Sequence, residues 1–240
     1  MNTAFPRPDS ARRVGLIIPS VNAVIEPDYA AIAPPGLTFH ATRVMLRETT
    51  PEGLRAMNEG VAAAATLIAS VSPEVVVFAC TSGSFIDGEA GLTRQIGAIE
   101  AITGCPVVAT SRAIVEACAA LGLRRLALAT PYLDVINEAE SRFLAGHGFT
   151  VTAVRGLGLS GKAIREVPPA EVAALVRAAD TPDSEAIFVS CTDFRALEVA
   201  GALEAELGKP VLTSNQVTLW AIFRALGVTP KLQGYGRLMA

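Results

Sequence analysis

Histidine, tryptophan and charged residues are all scarce in this sequence. Its 240 residues include 2 His, 1 Trp and 18% charged side chains, against 51% hydrophobic residues. Twenty Lys and Arg against 23 Asp and Glu give a net charge of −3, with no basic block along the chain. Nucleic-acid binding requires a clustered positive surface, often with aromatic platforms, so no nucleic-acid partner is expected. The high apolar content also disfavours a disordered chain.

Long apolar runs and metal-binding motifs are missing as well. No stretch of about 18 uninterrupted apolar residues occurs, so no membrane span is expected. The first residues lack the apolar segment of a signal peptide, which predicts a cytoplasmic protein with reduced thiols. None of the four cysteines forms a CxxC pair, and His40 and His147 are far apart in sequence. We therefore predict no metal site.

What the sequence does contain is an alternation of short apolar runs with longer amphipathic stretches. The apolar runs are typical of buried parallel strands, and they lie at residues 14–18, 75–79, 106–109, 126–129, 186–190 and 211–212. The amphipathic stretches are typical of helices, and they lie at 52–71, 88–102, 113–121, 137–146, 169–179, 197–207 and 216–226. This alternation predicts an α/β fold with open parallel sheets covered by helices.

The chain also repeats itself once. Three segments recur in the same order, 12–20 as 124–132, 74–81 as 185–192, and 106–111 as 210–214. The first two recurrences have nearly equal offsets, which chance rarely produces. We predict two similar Rossmann-like domains related by pseudo-twofold symmetry, one formed by residues 1–112 plus 215–240 and the other by 113–214.

The repeat changes how two cysteines are interpreted. Cys80 and Cys191 occupy equivalent positions, each at the end of an apolar strand and followed by Thr. Ligands of open α/β sheets bind outside the carboxyl ends of the strands, so pseudo-twofold symmetry would bring both thiols to one cleft. Residues 81–84 are expected to form an anion-binding loop. Cys105 and Cys118 are instead expected to be small core residues.

Two thiols on opposite sides of a carbon atom suit proton removal on one face and donation on the other. Two-base racemisation fits this arrangement, and so does covalent addition followed by bond rotation. No His or Lys is adjacent to Cys80 or Cys191 in sequence, which disfavours a papain-like nucleophile. A disulfide redox switch is a further alternative, which requires adjacent thiols.

Several motifs carry a family resemblance. They comprise residues 14–22 with Glu26-Pro27, 80–85, 129–132, 190–192 and 213–216. In these motifs the chain resembles maleate cis-trans isomerases and arylmalonate decarboxylases of the aspartate/glutamate racemase superfamily. The resemblance implies two similar α/β domains, an active site between them, no cofactor, a small carboxylate substrate and a homo-oligomer.

By the same resemblance, Cys80 and Cys191 are the two catalytic cysteines. Asn22 and Tyr132 would bind a substrate carboxylate, and the anion pockets would be formed with three further residues, Thr81, Ser82 and Thr192. Asn22 has an alternative role as the cap of a helix that begins near Glu26. Lys162 stands where related isomerases carry Asn, and it would either pair with a second carboxylate or be a solvated surface residue.

The reaction is predicted from how the chain departs from each relative. Decarboxylases of the family lack the first cysteine, whereas Cys80 is present here. Maleate isomerases keep both cysteines but follow the first with apolar residues, whereas polar residues 81–84 follow it here.

We therefore expect a two-cysteine isomerase like maleate cis-trans isomerase, with Cys191 adding to the double bond and Cys80 protonating. The alternatives are an amino-acid or hydroxy-acid racemase, including the ectoine-degradation type, then a decarboxylase, and a two-lobed solute sensor.

Overall fold

The computed structural model describes residues 11–240 and contains two parallel sheets of four strands. The strands of the first sheet are β1 (Arg12–Pro19), β2 (Leu37–Val44), β3 (Val75–Phe78) and β4 (Val107–Ala109). The strands of the second sheet are β5 (Arg125–Thr130), β6 (Thr150–Gly156), β7 (Ala186–Val189) and β8 (Val211–Thr213). Residues 1–10 of the predicted first domain lie outside the described residues.

The two sheets have the same topology. Their strand orders are β2-β1-β3-β4 and β6-β5-β7-β8. Their registers agree too, because Val14 pairs with Val75 in the first sheet and Leu126 pairs with Ala186 in the second. The sequence repeat therefore corresponds to a repeat of the fold, and the prediction of two similar α/β units is confirmed.

Eleven α-helices connect and cover the strands within the described residues. They are α1 (Ile25–Ile32), α2 (Pro51–Glu59), α3 (Val61–Ala69), α4 (Thr81–Phe85), α5 (Gly88–Thr103), α6 (Thr110–Ala120), α7 (Asp134–Gly146), α8 (Ala163–Glu166), α9 (Pro169–Ala179), α10 (Leu197–Leu207) and α11 (Ser214–Ala225). None of these helices is long and apolar enough to cross a membrane.

Three local predictions need correction. The helix predicted at 52–71 is divided at Gly60, where a Cβ atom would approach the Val44 side chain to 2.8 Å. The loop predicted at 81–84 is the short helix α4. Strands β2 and β6 were not predicted, because these edge strands are largely half-exposed and mix polar with apolar residues instead of forming apolar runs.

Two helices join the halves of the molecule. Helix α6 follows β4 and helix α11 follows β8, and the two helices pack against each other. Helix α11 also packs against β3 and β4 of the first sheet, and it begins with a capping box formed by Thr213 and Gln216. As a result, the carboxyl ends of β3 and β7 face the same small cavity between the two sheets. Cys80, after β3, and Cys191, after β7, both line this cavity.

Candidate active site

A small cavity lies at the carboxyl ends of the two central strands. Its walls include six of the seven predicted site residues, namely Cys80, Thr81, Ser82, Tyr132, Cys191 and Thr192. The cavity encloses about 20 Å³, which is room for about one water molecule. The topology thus brings together residues separated by more than a hundred positions in sequence, as the repeat predicted.

Cys80 is the N-cap residue of α4. Its thiol accepts a hydrogen bond from the backbone N–H of Gly83 at 3.3 Å, and the Ser82 hydroxyl lies 3.9 Å from the sulfur. Burial raises the pKa of the Cys80 thiol to about 11, although both of these donors act in the opposite direction. The cap position therefore partly offsets the cost of a buried thiolate.

Cys191 has a backbone conformation that is rare outside glycine, with φ at +100°. Its N–H donates to the Ser214 hydroxyl at 3.0 Å, and its thiol accepts from the N–H of Asp193 at 3.4 Å. Burial raises the pKa of this thiol, and the Asp193 carboxylate raises it further. Strained backbone of this kind persists where the surrounding structure enforces it, and it is concentrated at active sites.

Tyr132 lines the cavity with Cys191, and Glu140, which is not part of the lining, accepts a hydrogen bond from Ser190, the residue before Cys191. Both side chains are buried, and the Tyr132 hydroxyl has no hydrogen-bond partner of acceptable geometry among residues 11–240. Burial raises the pKa of Tyr132, and the charges of both thiols and Glu140 act in the same direction. Burial also raises the pKa of Glu140 to about 8, so this acid is largely neutral at pH 7. The phenol lies beside the Cys191 thiol and lowers the pKa of that thiol, and no nitrogen or oxygen among the described residues accepts its proton.

Three predicted binding residues are occupied by hydrogen bonds between the halves of the molecule. The Thr81 hydroxyl donates to the Ser214 hydroxyl at 2.9 Å, and the Thr192 hydroxyl donates to the Ala79 carbonyl at 3.1 Å. The Asn22 amide donates to the Thr192 hydroxyl at 3.0 Å. These groups hold the cavity walls together, so they have fewer free donors for a substrate than the sequence implied.

Asn22 has the capping role that was considered as its alternative. Its side-chain oxygen accepts from the backbone N–H groups of Val24 and Ile25, both at 3.1 Å, at the start of α1. Lys162 is exposed and is not among the residues that line the cavity, although Gly161 and Ile164 are. The structure therefore favours the second of the two roles considered for Lys162, a solvated surface residue.

Two acidic residues near the thiols were missed. Asp193 lines the cavity and follows the Cys191-Thr192 motif directly, so its position in sequence could have identified it. Glu140 lies on α7, fifty residues before Ser190, whose hydroxyl donates to it at 2.7 Å. No local pattern links Glu140 to the cysteines, and only the fold brings it close.

Metal binding has no support in the described part of the chain. No group of three or more His, Cys, Asp or Glu side chains is arranged there to hold an ion. All four cysteines are free thiols, with Cys118 buried and Cys105 half-buried. The lining of the cavity offers two thiols, four hydroxyls in addition to that of Thr49, and the carboxyl group of Asp193.

Two equivalent α/β halves with a thiol from each at one cleft are the arrangement expected of an enzyme that uses two cysteines. Comparison with known families narrows this class, because the family model described as arylmalonate decarboxylase matches residues 14–239. The chain belongs to this family.

Individual relatives within the family catalyse different reactions. The chain is 36% identical over 233 residues to an arylmalonate decarboxylase of Bordetella bronchiseptica, covering 95% of this chain and 97% of that protein. It is 31% identical over 243 residues to a maleate isomerase of Nocardia farcinica, covering 95% of each.

One solved structure with a similar fold contains a reaction intermediate. It is a cysteine-to-serine variant of the Nocardia farcinica maleate cis-trans isomerase with a covalently bound succinylcysteine. The fold of this chain superimposes on it with a TM-score of 0.91 and 30% identity, covering 95% of this chain and 98% of that one. That isomerase therefore forms a carbon–sulfur bond to its substrate on a similar scaffold.

Proposed function

We propose that this protein is a two-cysteine cis-trans isomerase that converts maleate, or a closely similar cis-dicarboxylate, into its trans isomer. The observation that carries the proposal is the presence of Cys80 and Cys191 on the walls of one cavity, on symmetry-related strand ends. The similar maleate isomerase with its succinylcysteine supports it. Cytoplasmic location and homo-oligomeric assembly stay predictions.

The local environments of the thiols assign their roles in the reverse order to the one expected from the sequence. Cys80 has a backbone N–H and a hydroxyl beside its sulfur, which stabilise a thiolate. Cys191 also has an N–H and the Tyr132 hydroxyl beside its sulfur, but the Asp193 carboxylate raises its pKa more than any cause except burial, whereas at Cys80 the same carboxylate is the smallest cause. We assign Cys80 as the nucleophile and Cys191 as the acid.

The steps balance without an added reagent. The Cys80 thiolate forms a bond to one alkene carbon, and the π electrons move toward the carboxylate of the other carbon. The Cys191 thiol protonates that carbon, which gives a succinyl thioether with a freely rotating single bond. After rotation, the Cys191 thiolate removes a proton and the Cys80 thiolate leaves, giving the trans alkene. Tyr132 holds a carboxylate through its hydroxyl, while the Ser82 hydroxyl stays beside the Cys80 sulfur.

Proton NMR of the reduced protein with maleate in heavy water tests the proposal. We expect conversion to fumarate, and a fall of at least about a hundredfold in Cys80→Ser and Cys191→Ser, because each variant loses a group that takes part in bond making. Cys105→Ser makes the same chemical change outside the cavity and should retain full activity. Mass spectrometry should find a succinyl adduct on Cys80 in Cys191→Ser.

Other outcomes of these experiments would favour one of the alternative functions. If maleate is unchanged while amino or hydroxy acids exchange their α-proton, the protein is a racemase and the proposal is wrong. Release of carbon dioxide from an arylmalonate would identify a decarboxylase. Binding of a small carboxylate with no reaction at all would identify a solute sensor.

A further inference from the structure

The cavity contains one charged side chain among its lining residues, and this residue is an acid. Asp193 is 5% exposed, and its Oδ1 atom accepts a hydrogen bond from the backbone N–H of Ala23 at 2.8 Å. Its Oδ2 atom is buried and makes no hydrogen bond to any of residues 11–240. A buried oxygen without a partner is costly, so this atom is available to a bound ligand.

Two cations lie near Asp193 and lower its pKa, but both donate their hydrogen bonds to other groups. Arg165 Nη1 lies 3.8 Å from Oδ2, beyond hydrogen-bonding distance, and donates to the Val21 carbonyl at 2.8 Å. Arg43 donates to the Asn22 carbonyl at 2.6 Å and pairs with Glu26. The charged and titratable groups that act on Asp193 or feel its charge are Arg165, Arg43, Cys80 and Cys191. None of them neutralises Asp193 through a direct hydrogen bond.

A dicarboxylate brings two negative charges into this cavity. An ionised Asp193 would repel the second carboxylate at short range with little solvent screening, whereas a neutral Asp193 would offer it an O–H donor at Oδ2. Building on the proposed function, we infer that Asp193 binds the second carboxylate of the substrate as a neutral acid, so that each dicarboxylate enters the site together with one proton.

The energetic cost of that proton is small near neutral pH. Burial raises the pKa of Asp193 to about 6, and a second anion in the cavity raises it further. A neutral Asp193 no longer raises the pKa of the two thiols, so the proton offsets part of the rise that the substrate's own negative charges cause at Cys80. Substrate binding and nucleophile formation are thus linked through one carboxyl group.

The test measures binding of succinate, which has no double bond and so cannot be isomerised. Titration calorimetry in two buffers of different ionisation enthalpy counts the protons taken up. Between pH 7 and pH 8 we expect an uptake of about one proton and a Kd that rises about tenfold, because the competent neutral fraction of Asp193 falls about tenfold. Asp193→Asn resembles the neutral acid, so its Kd should stay constant and its uptake should fall to zero.

Asp28→Asn is the matched control. Asp28 is also buried, with a pKa raised to about 6, but it bonds to Asn215 and does not line the cavity. This variant should keep the proton uptake of the wild type. Uptake retained in Asp193→Asn would assign the proton to the ligand, and weaker succinate binding in that variant would assign an ionised role to Asp193. Either result overturns the inference.

Because succinate is inert, binding and turnover are decided separately. Proton uptake by the wild type without maleate conversion would retain the role of Asp193 and reject the isomerase reaction. No succinate binding between pH 5.5 and 8 would overturn the inference even if maleate reacts. Tight binding of an amino monocarboxylate that is lost in Asp193→Asn would also overturn it, since an ammonium group requires the ionised form.

Discussion

Glu140 shows how a single buried acid makes the stability of the whole protein depend on pH. Its side chain is fully buried, and the Ser190 hydroxyl donates to Oε1 at 2.7 Å, while Oε2 has no hydrogen-bond partner among the described residues. Burial raises the pKa of Glu140 from 4.5 to about 8. The folded state therefore retains a proton that the unfolded chain releases between these two values.

Glu140→Gln should remove this dependence. In the wild type the stabilising contribution of Glu140 is complete below about pH 4.5 and is lost as pH rises toward 8, with a slope of at most about 1.4 kcal/mol per pH unit. Urea unfolding from pH 5 to pH 8.5 should show the wild type losing stability relative to Glu140→Gln across this window. Glu138→Gln, an exposed change on the same helix, should follow the wild type. Parallel profiles for wild type and Glu140→Gln would contradict the argument.

At the scale of elements, α4 positions the nucleophile. This helix begins directly after Cys80, and the N–H of Gly83 points at the sulfur. A Cβ atom at Gly83 would lie 2.6 Å from the Met57 methyl, 3.0 Å from the Cys80 sulfur and 3.2 Å from Asn58 Oδ1. The Met57 methyl is the end of a flexible side chain and can shift, so the cost of a side chain at position 83 falls mainly on the Cys80 sulfur and on Asn58.

Gly83→Ala should displace the Cys80 thiol and lower turnover by about tenfold or more, because misplacing a reacting group by about 1 Å has effects of that size. Alkylation of Cys80, followed by peptide mass spectrometry, gives a second readout that needs no substrate, and its rate should change as well. Gly97→Ala is the control, since a Cβ atom there meets nothing within 4 Å on the exposed face of α5. This control should keep full turnover and gain about 0.5–1 kcal/mol of stability. Unchanged turnover and alkylation in Gly83→Ala would remove α4 from the mechanism.

At the scale of the whole molecule, those features of the fold that occur in both copies of the internal repeat could be predicted from the sequence. The central strands, their parallel arrangement and the meeting of Cys80 with Cys191 all follow from apolar runs that recur at a fixed offset. Edge strands β2 and β6 were missed because they carry exposed polar residues such as Arg43 and Arg155 instead of apolar runs. Glu140 was missed because its contact with the site is purely tertiary.

Only the fold shows which hydroxyl groups near the cavity are free to bind a substrate and which hold the protein together. Thr81 and Thr192 were predicted to bind substrate, yet their hydroxyl protons are used in bonds to Ser214 and to the Ala79 carbonyl. A sequence motif identifies a polar residue near a site but not the direction of its hydrogen bond. Tyr132 is left as the hydroxyl donor for a carboxylate, since the Ser82 hydroxyl lies beside the Cys80 sulfur.

Packing of the last helix on the first sheet links the two halves into one folding unit. Helix α11 follows the final strand of the second sheet but packs on β3 and β4 of the first and on α6. Tyr29 in α1 donates to the Asn215 carbonyl at 3.2 Å, and the Asn215 amide donates to Asp28 at 2.7 Å. Unfolding either half would expose the buried face of α11, so neither half should unfold by itself.

Calorimetry should therefore record one unfolding transition, with equal calorimetric and van't Hoff enthalpies, in spite of the internal repeat. Succinate at about 100 times its Kd should add about 2.7 kcal/mol and raise the Tm of that single transition by about 5–10 °C. The cavity encloses only about 20 Å³, so the ligand must widen the cleft and then contact both halves. Sulfate at equal ionic strength is the control and should shift the Tm less. Two separable transitions, or a ligand shift confined to one of them, would show that the halves are independent.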